Sequence, residues 1–220
     1  MKVLVTGSSG AFGSKIAATV SKHGTCVGVD LVPGKFTTHI ASITDKGIIN
    51  KIVSGVETII HTAAYLTPHI GMVSDDKIRD VNVYGTEVLL DLAIRHNLKR
   101  FVFTSTTSIY GCTTRSKIEA VWVTEDLTPN PEDIYDLTKL EAEQRCQQAS
   151  EAGLNTLFLR MSRCFPEPDH LQVFYRLYRG VSVQDVAGRT GLPFQVQNRV
   201  MKSSIFRQTH PLSHQKPGRY

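Results

Sequence analysis

The sequence has few of the residues that mark secreted, membrane-spanning or metal-binding proteins. Its four cysteines are far apart and form no C-x-x-C pair, so neither a disulfide framework nor a zinc site is expected. No stretch approaches the roughly 18 consecutive apolar residues of a transmembrane helix. The apolar run Val3–Val5 near the start is too short for a signal peptide. We therefore expect a cytoplasmic protein with reduced thiols, no metal and no membrane partner.

Acidic residues are missing from one end of the chain. Of 220 residues, 25 are Lys or Arg and 20 are Asp or Glu, which gives a net charge of +5. All 20 acids lie within residues 1–188, whereas residues 189–220 carry six basic residues and no acid. The basic surplus therefore belongs to this tail. Because its charges are sparse and its aromatic residues few, nucleic-acid binding is not expected.

Short apolar runs alternate with amphipathic helical patterns as far as about residue 180. The predicted strands are 2–6, 26–30, 57–62, 99–104 and 155–160, and the predicted helices are 11–23, 45–54, 75–97 and 133–152. Repetition of strand and helix predicts an α/β fold, a doubly wound parallel sheet of the Rossmann type with helices on both faces. Residues 189–220 show no clear period, so no element is predicted there.

A glycine-rich loop, TGSSGAFG at 6–13, separates the first predicted strand from the first helix. Glycines in such a loop permit a tight turn, a close approach of a pyrophosphate, and packing of the helix on the strand. Asp30 ends the second predicted strand, where a carboxylate can accept both ribose hydroxyls of adenosine and would repel a 2′-phosphate. Strand, loop, helix and acid together favour NAD over NADP, although a glycine turn and a surface acid would each be weak signals alone.

A tyrosine and a lysine lie four residues apart at the start of the helix predicted over 133–152. This spacing puts Tyr135 and Lys139 on one helix face, where the ammonium is expected to lower the phenol pKa from about 10 toward working pH. Such a phenol is a general acid/base for a substrate hydroxyl. The hydroxyl run at 104–108 follows a predicted strand, at the sheet edge where α/β proteins bind ligands. Either feature alone is more often a solvated helical pair or strand-end capping.

Together these residues resemble the short-chain dehydrogenase/reductase superfamily, specifically its extended epimerase/dehydratase branch. Five motifs stand in the family's order over residues 1–165. They are TGSSGAFG at 6–13, HTAA at 61–64, NVYGT at 82–86, STTSIYG at 105–111, and TED at 124–126 followed by Pro129, Pro131 and Y-x-x-x-K at 135–139.

The resemblance implies a role for each matched residue. Tyr135 is the acid/base, Lys139 its partner and a ribose ligand, and Thr106 orients the substrate oxygen. The residues implied to contact the cofactor are Gly7, Gly10, Ala11, Phe12, Gly13, Asp30, Ser42, Ile43, Ala63, Ala64, Asn82, Thr104, Tyr135 and Lys139. Ile43 would lie against adenine, and Ser42 stands where the family often has an Asp.

The same resemblance implies an NAD-dependent enzyme that acts on a hydroxyl of a sugar or nucleotide sugar. Two alternatives stay open: a simple NAD-dependent dehydrogenase or reductase of a smaller alcohol, aldehyde or sugar acid, and a catalytically weak NAD-binding sensor or truncated family member. We place an NAD-binding domain at 1–165 and a reduced substrate lobe with the basic tail at 166–220. Relatives often pair through their two long helices, so a homodimer is expected.

Candidate substrate contacts lie in three segments and three arginines. The segments are 65–71, 112–131 (with Trp122) and 161–170, and the arginines, which could meet a phosphate or a carboxylate, are Arg163, Arg176 and Arg179. An arginine on a polar helix face is, however, more often simply solvated.

Overall fold

The computed structural model of the protein describes residues 1–114, 121, 123, 124 and 126–162, together with the backbone of 204–206. The strands are β1 (Lys2–Thr6), β2 (Thr25–Asp30), β3 (His39–Ile40), β4 (Thr58–His61), β5 (Arg100–Thr106), β6 (Thr156–Met161) and β7 (Ser204–Phe206). The helices are α1 (Gly13–Val20), α2 (Lys46–Ile52), α3 (Asp75–Arg79), α4 (Gly85–Arg95) and α5 (Ile134–Glu151).

The described strands form one parallel sheet in the order β3-β2-β1-β4-β5-β6-β7. This confirms the predicted doubly wound α/β fold. The chain builds the sheet outward from β1, first to β2 and β3 and then, on the other side, to β4 and the later strands. The order therefore reverses between β1 and β4, and the carboxyl ends of these two strands border the crevice in which such sheets bind ligands.

Strand residues alternate between two apolar layers, one on each face of the sheet. Leu4, Ile59 and Phe101 belong to the larger layer, which α2, α4 and α5 cover. Val5 and Ile60 belong to the smaller layer, which α1 covers. Because both faces are buried, the centres of β1 (Val3–Val5) and β4 (Ile59 and Ile60) are apolar, as is typical of parallel sheets.

The helix predicted over 75–97 contains a change of helical type. It runs through α3, a π-helical turn at Asp80–Tyr84, and α4. Ser74 begins it by accepting a hydrogen bond from the Lys77 N–H. Among the described residues, no helix is long and apolar enough to cross a bilayer.

A buried ion pair fastens α5 to the sheet. Nη2 of Arg160, on β6, lies 2.7 Å from Oε2 of Glu143, and the two side chains are only 10% and 4% exposed. Ser105 on β5 donates to Oε1 of the same glutamate over 2.5 Å, and Arg160 Nη1 donates to the Tyr110 hydroxyl over 2.7 Å. These bonds join β5, β6 and α5 beside Ser105 and Thr106, the last two residues of β5.

Two short strands lie outside the predicted elements. β3 has two residues and β7 has three, and β7 comes from the tail in which no element was predicted. It pairs with β6 from Leu159↔Ser204 to Met161↔Phe206. Part of the tail therefore extends the sheet, whereas the domain boundary placed near residue 165 lies outside the described residues.

Candidate active site

In the described part of the chain a large cavity runs along the carboxyl ends of the strands and has a volume of about 1100 Å³. Of the predicted site residues, all except one border it. These are Gly7, Gly10, Ala11, Phe12, Gly13, Asp30, Ser42, Ile43, Ala63, Ala64, Thr104, Thr106, Tyr135 and Lys139. The fold thus brings residues from both halves of the sheet into one cavity.

Two glycines of the glycine-rich loop at 6–13, called the phosphate loop from here on, are required by close contacts with neighbouring atoms. Gly7 has φ +72°, and a Cβ built on it would lie 2.7 Å from Thr62 Oγ1. A Cβ on Gly13 would lie 2.0 Å from the carbonyl oxygen of Gly7. The loop can therefore follow this path only with glycine at both positions, and it leads directly into the N-terminus of α1. At this end of α1 the N–H groups of Ser14 and Lys15 donate to the Gly10 and Phe12 carbonyls, whereas Ala11, Phe12 and Gly13 border the cavity.

The carboxylate of Asp30 lies beside this loop. Oδ2 accepts a hydrogen bond of 2.9 Å from the Ser9 N–H, and Oδ1 accepts a longer one of 3.3 Å from the Val32 N–H. The Ser9 hydroxyl is also within 2.7 Å of the Val32 carbonyl oxygen. Asp30 thus ties the phosphate loop to the end of β2 while its carboxylate borders the cavity.

Ser42 and Ile43 also border the cavity. Ile43 is 4% exposed, and a Cβ on Gly85 of α4 would lie 2.7 Å from its Cδ1. Ser42 bonds to the Thr44 hydroxyl over 2.7 Å. The first turn of α4 therefore holds Ile43 against the cavity.

Asn82 is the predicted cofactor residue that does not border the cavity. Its Oδ1 accepts from the Tyr65 N–H over 2.8 Å, and its Nδ2 donates to the Tyr65 carbonyl and to Thr138 Oγ1, each over 3.0 Å. Its amide is thus used within the protein, where it positions the backbone of Tyr65, a cavity residue. Direct contact between Asn82 and a cofactor does not agree with this arrangement.

His61, which begins the HTAA motif, is a buried connector between strands. Its Nδ1 lies 2.7 Å from Thr6 Oγ1 and its Nε2 lies 3.0 Å from Thr86 Oγ1. Thr86 donates its own proton to the Asn82 carbonyl, so we assign the ring proton to Nε2. Burial, and secondarily the charge of Lys139, lowers the His61 pKa to about 3.

Lys139 is buried with its ammonium aimed at β5. Its Nζ donates to the Thr104 carbonyl over 2.9 Å, and it lies 4.6 Å from the ring centroid of Phe103 and 5.9 Å from that of Tyr135. Burial lowers its pKa to about 8, although Cys146 and Glu143 act in the opposite direction. The ammonium is thus closer to the strand and to Phe103 than to the phenol ring.

The pKa of Tyr135 differs from the sequence-based expectation. Burial raises it above its ordinary value, the negative charges of Asp136 and Asp133 act in the same direction, and a hydrogen bond with Thr106 opposes them. Lys139 is not among the groups that lower the phenol pKa, and burial dominates, so the lowering expected from the i, i+4 spacing is not found. The phenol is protonated in this arrangement.

A chain of polar side chains that the sequence interpretation missed continues from Thr106. Ser108 Oγ lies 2.9 Å from Thr106 Oγ1 and donates to Asp136 Oδ1 over 2.5 Å. Asp136 is 4% exposed, and burial raises its pKa, which the Ser108 hydrogen bond partly offsets. The sequence signal that could have identified this chain is the acid directly after Tyr135, together with the hydroxyl-rich end of the strand before it.

The structure describes only part of the three segments that were predicted to contact the substrate. Tyr65–His69, Met161 and Ser162 border the cavity, and the Tyr65 and His69 rings stack edge to face with centroids 5.3 Å apart. Arg163, Arg176, Arg179, Trp122 and residues 163–170 lie outside the described residues.

A nucleotide-cofactor-binding domain of the Rossmann class is defined by this fold and by a phosphate loop that shares one cavity with a Tyr–Lys pair. The sequence matches the family described as "NAD dependent epimerase/dehydratase family" over residues 3–172. The chain belongs to this family, which confirms the resemblance. NAD is the cofactor of this family, so the expected cofactor class is confirmed at the level of the family.

Relatives of the chain act on different alcohols according to their names. A 3 beta-hydroxysteroid dehydrogenase/isomerase of Mycobacterium tuberculosis is 31% identical over 194 residues, which are 82% of this chain and 51% of the relative. A UDP-glucose 4-epimerase of Corynebacterium glutamicum is 29% identical over 172 residues, which are 73% of this chain and 50% of the relative. The chain thus spans about half the length of both relatives.

A solved structure of similar fold contains the cofactor. A short-chain dehydrogenase/reductase superfamily protein of Agrobacterium tumefaciens, solved with bound NAD, has 31% sequence identity and a TM-score of 0.67. The match covers 75% of this chain and 50% of that protein.

Proposed function

We propose that the chain binds NAD in the cavity and oxidises a hydroxyl of a sugar or nucleotide sugar, with Tyr135 as the acid/base. The observation that carries the proposal is that one cavity is bordered by the phosphate loop, by Asp30, and by the Thr106/Tyr135/Lys139 set. The UDP-glucose 4-epimerase relative supports the substrate class.

The residues that border the cavity fit NAD along its length. Ala11, Phe12 and Gly13 would offer their N–H groups to the pyrophosphate at the N-terminus of α1, because the N–H groups of residues 7–10 already bond within the protein. Asp30 offers carboxylate lone pairs to the adenosine ribose, and Ile43 offers an apolar surface to adenine. Ala63 and Ala64 are small enough to let the dinucleotide cross the middle of the sheet edge. Bound NAD would supply the hydride acceptor at its nicotinamide ring.

Tyr135 and its neighbours handle the proton of the substrate hydroxyl. In the reductive direction the phenol, which is protonated in this arrangement, gives its proton to the substrate oxygen. In the oxidative direction Tyr135 must first lose that proton, and its phenolate then accepts the proton of the substrate hydroxyl as the carbon loses hydride. Thr106 holds the substrate oxygen by a hydrogen bond. Among the described residues, the Lys139 ammonium has one hydrogen-bond partner, the Thr104 carbonyl, which leaves two protons for the nicotinamide ribose.

The test combines cofactor extraction with turnover. The purified protein is extracted for bound nucleotide and then incubated with UDP-glucose and NAD, with detection of isomerised sugar nucleotide and of NADH. Retained NAD and an isomerised product without accumulation of NADH support an epimerase-type cycle. Tyr135→Phe should lose turnover by at least about a hundredfold, while Tyr84→Phe, an exposed tyrosine on the π-helical turn, should keep it. Equal turnover in Tyr135→Phe would contradict the acid/base role.

A simple dehydrogenase is the second candidate, because the M. tuberculosis relative is a 3 beta-hydroxysteroid dehydrogenase. This function predicts an empty cofactor site after purification and stoichiometric release of NADH with an alcohol substrate. NAD binding without turnover of either substrate class would instead favour a cofactor-binding sensor. Pairing of two chains through α4 and α5 stays a prediction, to be measured by sedimentation.

A further inference from the structure

We propose that Thr37 is a positioning residue for NAD: through the hydroxyls of Ser8 and Ser9 it holds the phosphate loop and Asp30 in the arrangement that meets the ADP half of the cofactor. Thr37 is not one of the described residues that border the cavity, so it acts on the cofactor only through its neighbours. The inference rests on the NAD binding in the proposed function and adds a residue that controls it.

Three hydroxyl groups and one carbonyl form a continuous chain of hydrogen bonds. Thr37 Oγ1 lies 2.7 Å from Ser8 Oγ and 2.7 Å from Ser9 Oγ. Ser9 Oγ lies in turn 2.7 Å from the carbonyl oxygen of Val32. All three distances are those of ordinary O–H···O hydrogen bonds. Residues 32–37, called the post-β2 segment, are thus bonded to two consecutive residues of the phosphate loop.

The three hydroxyl protons of this chain satisfy all three bonds in one arrangement. A carbonyl can only accept, so Ser9 gives its single hydroxyl proton to Val32. Thr37 must then donate to Ser9, and Ser8 must donate to Thr37. Because Ser8 is fully buried, Thr37 supplies the acceptor that its hydroxyl requires. Thr37 is therefore the group through which both serines of the phosphate loop are held.

The end of the chain also fixes the carboxylate of Asp30. The Ser9 N–H donates to Oδ2 over 2.9 Å, and the Val32 N–H donates to Oδ1 over 3.3 Å. Together with the bond from the Ser9 hydroxyl to the Val32 carbonyl, these bonds close a ring. Each oxygen of Asp30 is held in this ring and keeps a lone pair for a ribose hydroxyl. Because Thr37 holds the Ser9 side chain, it acts on the ribose acceptor as well as on the phosphate loop.

Close packing brings the post-β2 segment against the phosphate loop and β2. A Cβ built on Gly34 would lie 2.6 Å from Ser9 Oγ, and a Cβ built on Gly28 of β2 would lie 1.9 Å from the carbonyl oxygen of Phe36. A larger residue at either position would therefore push the segment away. These two glycines allow the hydroxyl of Thr37 to reach the phosphate loop.

The backbone bonds of the phosphate loop are the competing explanation, because they would hold the loop even without Thr37. The N–H groups of Gly7 and Ser8 both donate to the Val29 carbonyl, over 2.8 Å and 3.3 Å. They tie the first residues of the loop to β2, whereas Ser9 is held by side-chain bonds. If the backbone bonds were sufficient, removal of the Thr37 hydroxyl would leave the affinity for NAD unchanged.

The experiment compares cofactor binding in two neighbouring threonine variants by titration calorimetry. Thr37→Val keeps the shape of the side chain and removes its hydroxyl, and we expect the affinity for NAD to fall about tenfold, the size of one hydrogen bond. ADP should lose the same factor, because Thr37 acts on this half of the cofactor, and Thr37→Ser should restore the native affinity. Thr38→Val is the matched control, since the Thr38 hydroxyl bonds to the backbone of Gly28 in β2 and should not affect NAD binding.

A double variant separates the positioning role from an effect on folding. Thr37→Val leaves the buried Ser8 hydroxyl without its acceptor, which also lowers the stability of the fold. Ser8→Ala combined with Thr37→Val removes that hydroxyl, so urea unfolding should show recovered stability while the affinity for NAD stays low. Native affinity in the double variant or in Thr37→Val, or an equal loss in Thr38→Val, would overturn the proposal.

Amide hydrogen exchange tests the same role without a cofactor. The Ser9 N–H should exchange about tenfold faster in Thr37→Val than in the native protein or in Thr38→Val, because the loop opens more easily when its tie is removed. Unchanged exchange at Ser9 would overturn the proposal. A native protein that binds no NAD would contradict the proposed function, and the exchange rates would still decide whether Thr37 holds the loop. Absence of sugar turnover with intact NAD binding would contradict the proposed function alone.

Discussion

The backbone N–H of Ser9 donates a hydrogen bond of 2.9 Å to Oδ2 of Asp30. The acid proposed to bind a ribose therefore also holds the phosphate loop in place. A cofactor spanning both groups meets two elements that are already joined, so little ordering is needed on binding.

Replacing Asp30 should reduce the affinity for NAD and the preference over NADP. Asp30→Ala removes the ribose acceptors and the bond to Ser9, and we expect NAD affinity to fall about ten- to a hundredfold. Asp30→Asn keeps an oxygen for Ser9 and should lose less. Titration calorimetry with both cofactors measures this, with Asp45→Asn, a cap of α2, as the control. Equal affinity of the native protein for NAD and NADP would contradict the assignment.

Replacing Lys139 should remove activity and yet stabilise the fold. Burial lowers the Lys139 pKa to about 8 from an unfolded value near 10.5, so the charged form costs folding free energy below pH 8. Lys139→Met should raise the free energy of unfolding at pH 7 by about 2 kcal/mol. As pH rises from 8 toward 10.5, the folded protein loses the Lys139 proton and the cost of the buried charge disappears. The stability gained by Lys139→Met should therefore be smaller at pH 9.5 than at pH 7.

Urea unfolding at the two pH values measures the effect. Lys22→Met, at an exposed position just after α1, is the matched control and should change stability little. A loss of stability in Lys139→Met at pH 7 would show that the hydrogen bond to Thr104 outweighs the cost of the buried charge.

Acid should destabilise the protein through His61. Its pKa is about 3 when folded and near 6.5 when unfolded, so between these values the unfolded chain binds a proton that the folded one does not. Stability is therefore lost as pH falls from 6.5 toward 3, by about 1 kcal/mol between pH 6 and 5. Urea unfolding at both pH values should show a smaller loss in His61→Gln. His96→Gln, at an exposed histidine, should keep the native slope.

The buried pair Glu143–Arg160 should be costly to break from one side. Arg160→Met leaves a carboxylate buried without its partner and should cost about 3–5 kcal/mol. Glu143→Leu combined with Arg160→Met removes both charges and should recover much of that loss. Denaturant unfolding of Arg160→Met, of Glu143→Leu and of the double variant gives the interaction free energy of the two side chains by a double-mutant cycle. Additive effects would show that the two charges do not compensate each other.

The order and type of the longer elements up to residue 162 follow from the sequence, because apolar periods and capping residues agree. β4 has four buried residues in a row, and α5 begins where Asp133 accepts from the Asp136 N–H. β3 and β7 were missed because two or three residues contain no period. Their pairing depends on strands distant in sequence, which local patterns do not report.

The sequence predicted which residues meet at the candidate site, but neither the hydrogen bonds of Asn82 nor the direction of the Tyr135 pKa shift. The motifs predicted which residues meet at the cavity, since the carboxyl ends of parallel strands share one edge. They did not predict that Asn82 turns toward Tyr65, because a helix pattern identifies a face and not the bonds made there. The predicted lowering of the Tyr135 pKa was also wrong, since i, i+4 spacing indicates a nearby cation but does not report the burial of the phenol, which raises its pKa.

The two outermost strands of the described sheet, His39–Ile40 and Ser204–Phe206, are its shortest. A strand of two or three residues presents too few open backbone groups to recruit another chain. Each of these two strands covers part of its longer neighbour, β2 at Val29 and Asp30 and β6 from Leu159 to Met161. At these positions of the described sheet, the shortness of the outermost strand therefore limits edge-to-edge pairing with another chain, independently of any charge on the surface.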